Sequence, residues 1–272
     1  MSWKSEIESG KRFEFGDNWS NFLENITDYQ IEHAKMKLVE WLGDIEGKTF
    51  LDIGSGSGLH SLCARMLGAK VYSFDYDLQS VECTRYLKEK YFPNDEDWVV
   101  EQGSVLDKSY IESLGKFDIV YSWGVLHHTG EMWEALEHAE IPVSDEGTFF
   151  IAIYNTQVYW TPYWKFVKKT YNSNALMRFF WKYFYMIFNT LAYSIKDLIL
   201  FKNPLSRYAE YKRSRGMSIY YDLIDWLGGY PFETAKAEEI FDFYKEKNYT
   251  LEKLYTANGR LGCNQFVFKK SK

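Results

Sequence analysis

The stretch Thr49-Phe50-Leu51-Asp52-Ile53-Gly54-Ser55-Gly56-Ser57-Gly58-Leu59 allows few folds. Thr49 to Ile53 is apolar and β-branched, the pattern of a buried parallel strand, and Leu59 to Leu67 has the spacing of an amphipathic helix. Glycines between them let the backbone turn at φ > 0 and approach a ligand with no Cβ in the way. The helix that follows turns free N–H groups and the positive end of its dipole toward that ligand. A dinucleotide site would carry G-x-G-x-x-G. Here the third glycine, Gly58, comes one place early and position 59 is Leu, which argues against NAD. A second strand, Lys70 to Asp75, ends in a carboxylate about 20 residues after the turn, where such folds place an acid on ribose hydroxyls. Asp75 is the ribose candidate and Asp77 the next choice.

Downstream, strand and helix patterns alternate: a helix over 78–91, a strand over 98–101, a short helix over 108–114, a strand over 117–121, a helix over 131–139 and a strand over 147–153. That order predicts a parallel sheet wound with right-handed crossovers. The C-terminal end differs, with a helix over 237–247, Thr234 as its candidate cap, and two strands over 250–256 and 264–269. Asn258-Gly259 between those strands is a hairpin signal.

The D-x-G-x-G-x-G pattern of Asp52, Gly54, Gly56 and Gly58, followed by Asp75, resembles the first motif of the class I S-adenosylmethionine-dependent methyltransferases. The likeness extends from about Lys48 to Lys269, because that family also closes its sheet with an antiparallel hairpin. It implies an α/β, Rossmann-like, doubly wound, mostly parallel seven-stranded sheet with S-adenosylmethionine as cofactor. Asn155 to about Thr234 interrupts the pattern between the fifth strand and its helix, where such families commonly insert a cap over the substrate site. The expected division is 1–46 as an N-terminal helical arm or lid, 47–154 with 235–272 as the core, and 155–234 as an aromatic, basic helical cap. Aromatics of the arm serve equally well as a lid over the cofactor or as an anchor on the outside of the core.

Ligands of such sheets bind at the carboxyl ends of the strands. The third tip, Gln102-Gly103-Ser104-Val105, would meet adenine; the family often has an acid after that glycine, and here Ser104 and the Val105 backbone replace it. Asp107 nearby reads better as a helix N-cap. The fourth tip, Ser122-Trp123-Gly124-Val125-Leu126-His127-His128, resembles the segment placed under the methionine moiety, so the expected cofactor set is Asp52, Gly54, Gly56, Gly58, Asp75, Ser104, Val105 and Ser122. His127 and His128 are the candidate catalytic residues because histidine titrates near neutrality. Adjacent side chains diverge, so at most one would face the substrate. No carboxylate cluster accompanies them, so no metal is expected. His33, His60 and His138 read as structural. The Asp/Asn-Pro-Pro-aromatic motif of nucleic-acid base methylation is absent from Ser122-Trp123-Gly124.

The 272 residues, 46% hydrophobic and 26% charged, suit a soluble globular chain. With no leader pattern and no apolar run of membrane-spanning length, the expected address is the cytoplasm. Cys63, Cys83 and Cys263 lack the spacing of a disulfide framework or zinc site. The net charge of −6 hides a basic, aromatic segment. From Tyr154 to Gly216 it carries Lys165, Lys168, Lys169, Arg178, Lys182, Lys196, Lys202, Arg207, Lys212, Arg213 and Arg215 against Asp197 and Glu210. Residues 158–202 could fill a lid, lie on anionic lipid as a peripheral membrane contact, or bind single-stranded nucleic acid, the last disfavoured. The expected function is methyl transfer to an oxygen or nitrogen of a small-molecule or lipid-like acceptor. The alternatives are a non-catalytic cofactor-binding or scaffold module and a methyltransferase acting on RNA through the basic insertion.

Overall fold

A computed structural model describes residues 6, 7, 9, 10, 12, 13, 19, 23, 26–201, 203 and 219–272. The rest of the expected arm, and Lys202, Arg207, Lys212, Arg213 and Arg215 of the basic segment, lie outside the described residues.

The strands are β1 Thr49–Ile53, β2 Lys70–Asp75, β3 Trp98–Gln102, β4 Phe117–Trp123, β5 Val143–Tyr154, β6 Tyr249–Tyr255 and β7 Cys263–Lys270. They form one sheet of order β3-β2-β1-β4-β5-β7-β6, parallel throughout except that β7 runs antiparallel to both β5 and β6. The order reverses between β1 and β4, which puts a crevice above their carboxyl ends.

Helices α1 Asp28–Leu42, α2 Leu59–Met66 and α3 Leu78–Tyr91 cover one face of the sheet, with Ile31, Leu38, Leu62 and Leu87 packed on Phe50, Val71 and Phe150. The other face is covered by α4 Lys108–Ser113, α5 Met132–Ala139 and α9 Ala237–Lys245, through Ile111, Leu136, Ile240 and Tyr244 on Leu51, Phe74 and Phe149. Sheet residues such as Phe50, Phe74 and Phe149 are fully enclosed, each burial worth about 1.5–3 kcal/mol.

Between β5 and α9 stand α6 Trp160–Ser173, α7 Ala175–Ile199 and α8 Ile219–Gly228. They build their own apolar cluster from Trp164, Val167, Tyr171, Tyr185, Leu223, Leu227 and Phe232, against which Phe13, Tyr154 and Trp226 pack. Asn174 separates α6 from α7 and caps the latter, its side chain accepting the Met177 N–H at 2.9 Å. None of the helices among the described residues is long and apolar enough to cross a membrane.

Three local details depart from the sequence pattern. Helix α1 begins at Asp28, a turn before the amphipathic helical pattern of Ile31 to Leu42, because the Gln30 side chain accepts the Thr27 N–H at 2.7 Å. Thr234 does not cap α9: its hydroxyl pairs with that of Thr156 at 2.8 Å, and Glu239 accepts the Lys236 N–H at 2.7 Å instead. Strand β5 starts at Val143, before the apolar run, because Phe117 at the start of β4 pairs there beyond a register shift.

Candidate active site

The glycine turn is held from three sides. Gly54 and Ser55 donate their N–H groups to the Phe74 carbonyl at 2.9 and 3.1 Å, tying the turn to the end of β2. Gly58 sits at the head of α2 with φ 80°, and a Cβ there would come within 2.8 Å of Thr84 Cα in α3. The early third glycine thus lets two helices meet over the turn, and a 2.9 Å bond between Ser55 and Thr84 hydroxyls seals the contact.

Gly56 donates its N–H to Asp75 Oδ2 at 2.9 Å while Asp77 donates its own to Oδ1, also at 2.9 Å. Each carboxylate oxygen keeps a lone pair for a further donor. Two adjacent acceptors at the rim of a glycine turn fit the vicinal hydroxyls of a ribose. Burial pushes the Asp75 carboxyl up to about 6, against the two N–H bonds that favour its charge. Asp77, the second choice for that role, is occupied as the cap of α3, accepting the Gln79 N–H at 2.8 Å.

Beneath the turn lies a buried polar chain. Trp98 Nε1 donates to Ser73 at 3.0 Å, Ser73 to Ser61 at 2.7 Å, and Ser61 to the Asp52 carboxylate at 2.5 Å. Burial raises Asp52 to about 7. Asp52 therefore shapes the turn from below. Ser122 is likewise enclosed, with its hydroxyl donated to the Ile53 carbonyl at 3.1 Å. At the third tip the Ser104 hydroxyl accepts the Leu106 N–H at 3.2 Å, and the Val105 carbonyl meets His138 Nδ1 at 3.0 Å. Asp107 caps α4.

Arg12 reaches across the crevice. Its guanidinium donates to the carbonyls of His128 and Thr129 at 3.0 and 3.2 Å, pairs with Glu6 at 3.0 Å, and lies 5.0 Å from the centre of the Tyr76 ring just past β2. Trp19 approaches Gly56 closely enough that a Cβ there would lie 3.2 Å from its indole nitrogen. Of the described arm residues, Arg12 thus contacts the tips of the second and fourth strands, and Trp19 contacts the glycine turn while also packing on the core cluster beneath α1 to α3.

The two histidines are both buried but not equivalent. His127 Nδ1 accepts the Tyr154 N–H at 3.3 Å, so its lone pair is spent and its proton resides on Nε2. His128 Nδ1 meets the Pro231 carbonyl at 2.6 Å and so carries the proton. Burial, with the nearby Lys168 charge, pushes His128 down to about 3 and His127 well below its ordinary range. Both rings stay neutral at physiological pH.

Lys168 was not singled out as a site residue by its sequence neighbourhood. It is fully enclosed on the inner face of α6, donates to the Trp226 carbonyl, and lies 4.0 Å from the Trp226 ring centre and 4.9 Å from that of Phe232. Burial lowers it to about 7, with Asp225 acting in the opposite sense. A Cβ at Gly229 would come to 3.0 Å from His128 and 3.5 Å from Lys168 Nζ, so both groups lie close against the end of α8. The signal was available: Trp164, Val167, Lys168 and Tyr171 share one helical face, which puts a lysine in an apolar stripe.

A family model described as "Methyltransferase domain" matches residues 23–184. The chain belongs to this methyltransferase family. Its sheet is that of the class I enzymes, whose cofactor is S-adenosylmethionine. Among solved structures, it is similar to magnesium protoporphyrin IX methyltransferase from Synechocystis PCC 6803 with bound SAH, at TM-score 0.52 and 12% identity over 89% of this chain and 83% of that one. It also resembles a putative sarcosine dimethylglycine methyltransferase from Galdieria sulphuraria, at TM-score 0.51 and 10% identity over 89% and 86%. Ribosomal protein L11 methyltransferase of Acinetobacter baumannii is 30% identical over 116 residues, 42% of this chain and 30% of that protein. The Thermotoga maritima protein of the same name is 40% identical over 78 residues, 28% and 27%. The chain thus matches under a third of the length of these curated relatives.

Proposed function

We propose that this protein transfers the methyl group of S-adenosylmethionine to an oxygen or nitrogen of a small-molecule or lipid-like acceptor. The observation that carries the donor half is the Asp75 carboxylate, oriented by the Gly56 and Asp77 N–H groups with one lone pair per oxygen left for a ribose diol. The bound sulfonium supplies an activated methyl and its own leaving group. What remains for the chain is to align the acceptor and exclude water. In this reading 47–154 and 235–272 hold the donor, with Gly54, Gly56, Gly58 and Asp75 at the cofactor, Ser104 and Val105 beside the adenine, and Asp52 and Ser122 supporting the turn from beneath. Segment 155–234 caps the acceptor, and 1–46 is the lid, with Arg12 tying the second strand tip to the fourth. His127 and His128, at the tip of β4, border the acceptor in this reading.

The lipid-like half of the reading rests on α7. Leu176, Phe180, Phe184, Ile187, Leu191, Ile195 and Leu198 recur at three- and four-residue spacing and are all exposed, while Tyr185 and Asp197 are turned inward. A helix that sends its apolar face outward and carries Arg178, Lys182 and Lys196 on the other arc has the character of an interfacial helix on anionic lipid. A protein acceptor is the second reading, favoured by the L11 methyltransferase relatives. Calorimetry with S-adenosylhomocysteine tests the donor half, and absence of binding would end the proposal. Label transfer from methyl-tritiated cofactor into lipid, small-molecule and protein fractions separates the two acceptor readings.

A further inference from the structure

Three buried nitrogen donors gather on the acceptor side. His127 Nε2 carries the ring proton and has no hydrogen-bond partner. Trp164 Nε1, also buried, has none. Lys168 uses one of its three protons on the Trp226 carbonyl. All three border one aromatic group: the rings of His127 and Tyr154 are 3.9 Å apart, Tyr154 and Trp226 5.8 Å, Trp226 and Trp164 5.1 Å, and Lys168 Nζ is 4.0 Å from the Trp226 ring. Burying donors without acceptors is unfavourable, and such groups in a native protein call for an explanation. Two unpartnered donors and a lysine around one aromatic group suit an anionic ligand oxygen.

We propose that these groups receive the carboxylate of the methyl acceptor and that the product is a methyl ester. The inference rests on the methyl-transfer reading above and names the substrate class of that site. One carboxylate oxygen is held by the N–H groups of His127, Trp164 and Lys168. The other attacks the methyl carbon, forming the C–O bond as the C–S pair returns to sulfur and leaves a neutral thioether. No proton moves, and one negative and one positive charge disappear together. This suits the groups present. The His127 lone pair is taken by Tyr154, and His128, held at about 3, is a weak base. A phenol or alcohol would have to lose a proton, whereas a carboxylic acid is already ionised at neutral pH. Burial lowers Lys168 to about 7, and the Asp225 charge partly offsets this in favour of the ammonium that the carboxylate would meet.

Methyl esters release methanol in mild alkali, whereas ethers and N-methyl groups do not. Purified protein is incubated with methyl-tritiated cofactor and a small-molecule and lipid extract of the source cells, and alkali-released volatile tritium is counted. Volatile label is the expected result. Alkali-stable label overturns the carboxylate inference and leaves methyl transfer standing, while no incorporation at all removes both. A second readout needs no turnover: calorimetry of the S-adenosylhomocysteine complex with dodecanoate and dodecanol. Dodecanoate should bind at least tenfold more tightly. Lys168→Met should abolish that preference at unchanged S-adenosylhomocysteine affinity, and Trp164→Phe, which keeps the ring and removes the donor, should reduce it severalfold. Dodecanol binding equally well, or neither binding, overturns the anionic site.

Discussion

The two halves of the crevice are built from opposite chemistry. On the proposed donor side, at the tips of β1 and β2, polar groups are acceptors already engaged: Asp75 holds two backbone N–H groups and Asp52 terminates a chain of hydroxyls. On the proposed acceptor side, between β4, β5 and helices α6 and α8, the polar groups are donors among aromatic rings, and two of them lack partners. The first arrangement satisfies itself and presents a finished template. The second is complete only when something enters. Substitutions on the donor side should therefore weaken both fold and ligand, whereas on the acceptor side they should separate the two.

The largest effect is expected at Asp75. Asp75→Ala removes both proposed ribose acceptors and frees the Gly56 and Asp77 N–H groups, so S-adenosylhomocysteine affinity should fall roughly 100-fold, ~2–3 kcal/mol, by calorimetry. Next is Gly58→Ala, which forces a Cβ into the left-handed region and to within 2.8 Å of Thr84 Cα; denaturant unfolding should show a loss of about 2 kcal/mol. Lys168→Met provides the contrast. Replacing an enclosed ammonium by an apolar chain of similar length should raise stability, by on the order of 1–2 kcal/mol, while acceptor use is lost. If Lys168→Met unfolds the protein as readily as Gly58→Ala, the contrast between the two halves is wrong.

A smaller effect follows from pH. In the proposed binding mode Asp75 must be ionised to accept both ribose hydroxyls, and burial in the folded protein raises it from 3.8 to about 6. The cofactor-competent form is therefore dominant above pH 7 and is lost as pH falls through 6. Between pH 8 and pH 5, S-adenosylhomocysteine affinity should drop about tenfold. Asp75→Asn should flatten that profile, and a wild-type profile already flat from pH 5 to 8 would remove Asp75 from the ribose.

The glycine turn and the strand that ends at Asp75 were legible in the sequence because their determinants are local. A strand, a glycine turn and a helix lie within 49–67, and the distance along the chain to Asp75 is itself diagnostic. Asp77 was ambiguous only until its α3 cap appeared. On the acceptor side, Lys168 comes from α6, Trp226 from α8, His127 from the tip of β4, and Arg12 from the other end of the chain. Nothing in periodicity says which cap residue meets which strand tip. The tautomer of His127 depends on a backbone N–H 27 positions later, so two adjacent histidines that look interchangeable in sequence differ in which nitrogen can accept a proton. The turn that begins α1 was within reach, since Thr27-x-x-Gln30 is a capping box preceding an apolar repeat.

The smallest effect on stability, and the sharpest separation of stability from function, belongs to the outer face of α7. Phe180, Phe184 and Ile187 are 49%, 45% and 56% exposed, so truncating them to Ala removes little buried area and should alter unfolding by at most about 0.5 kcal/mol each. If that face lies on a bilayer, the same three truncations should sharply reduce flotation with vesicles containing phosphatidylglycerol. Raising salt should weaken the wild-type contact only in part, because apolar insertion is not screened while the contribution of Arg178, Lys182 and Lys196 is. Complete release by moderate salt would mean that the aromatic face does not enter the lipid. Unchanged flotation of the triple Ala variant would place the contact elsewhere, leaving the exposed stripe to be covered by protein.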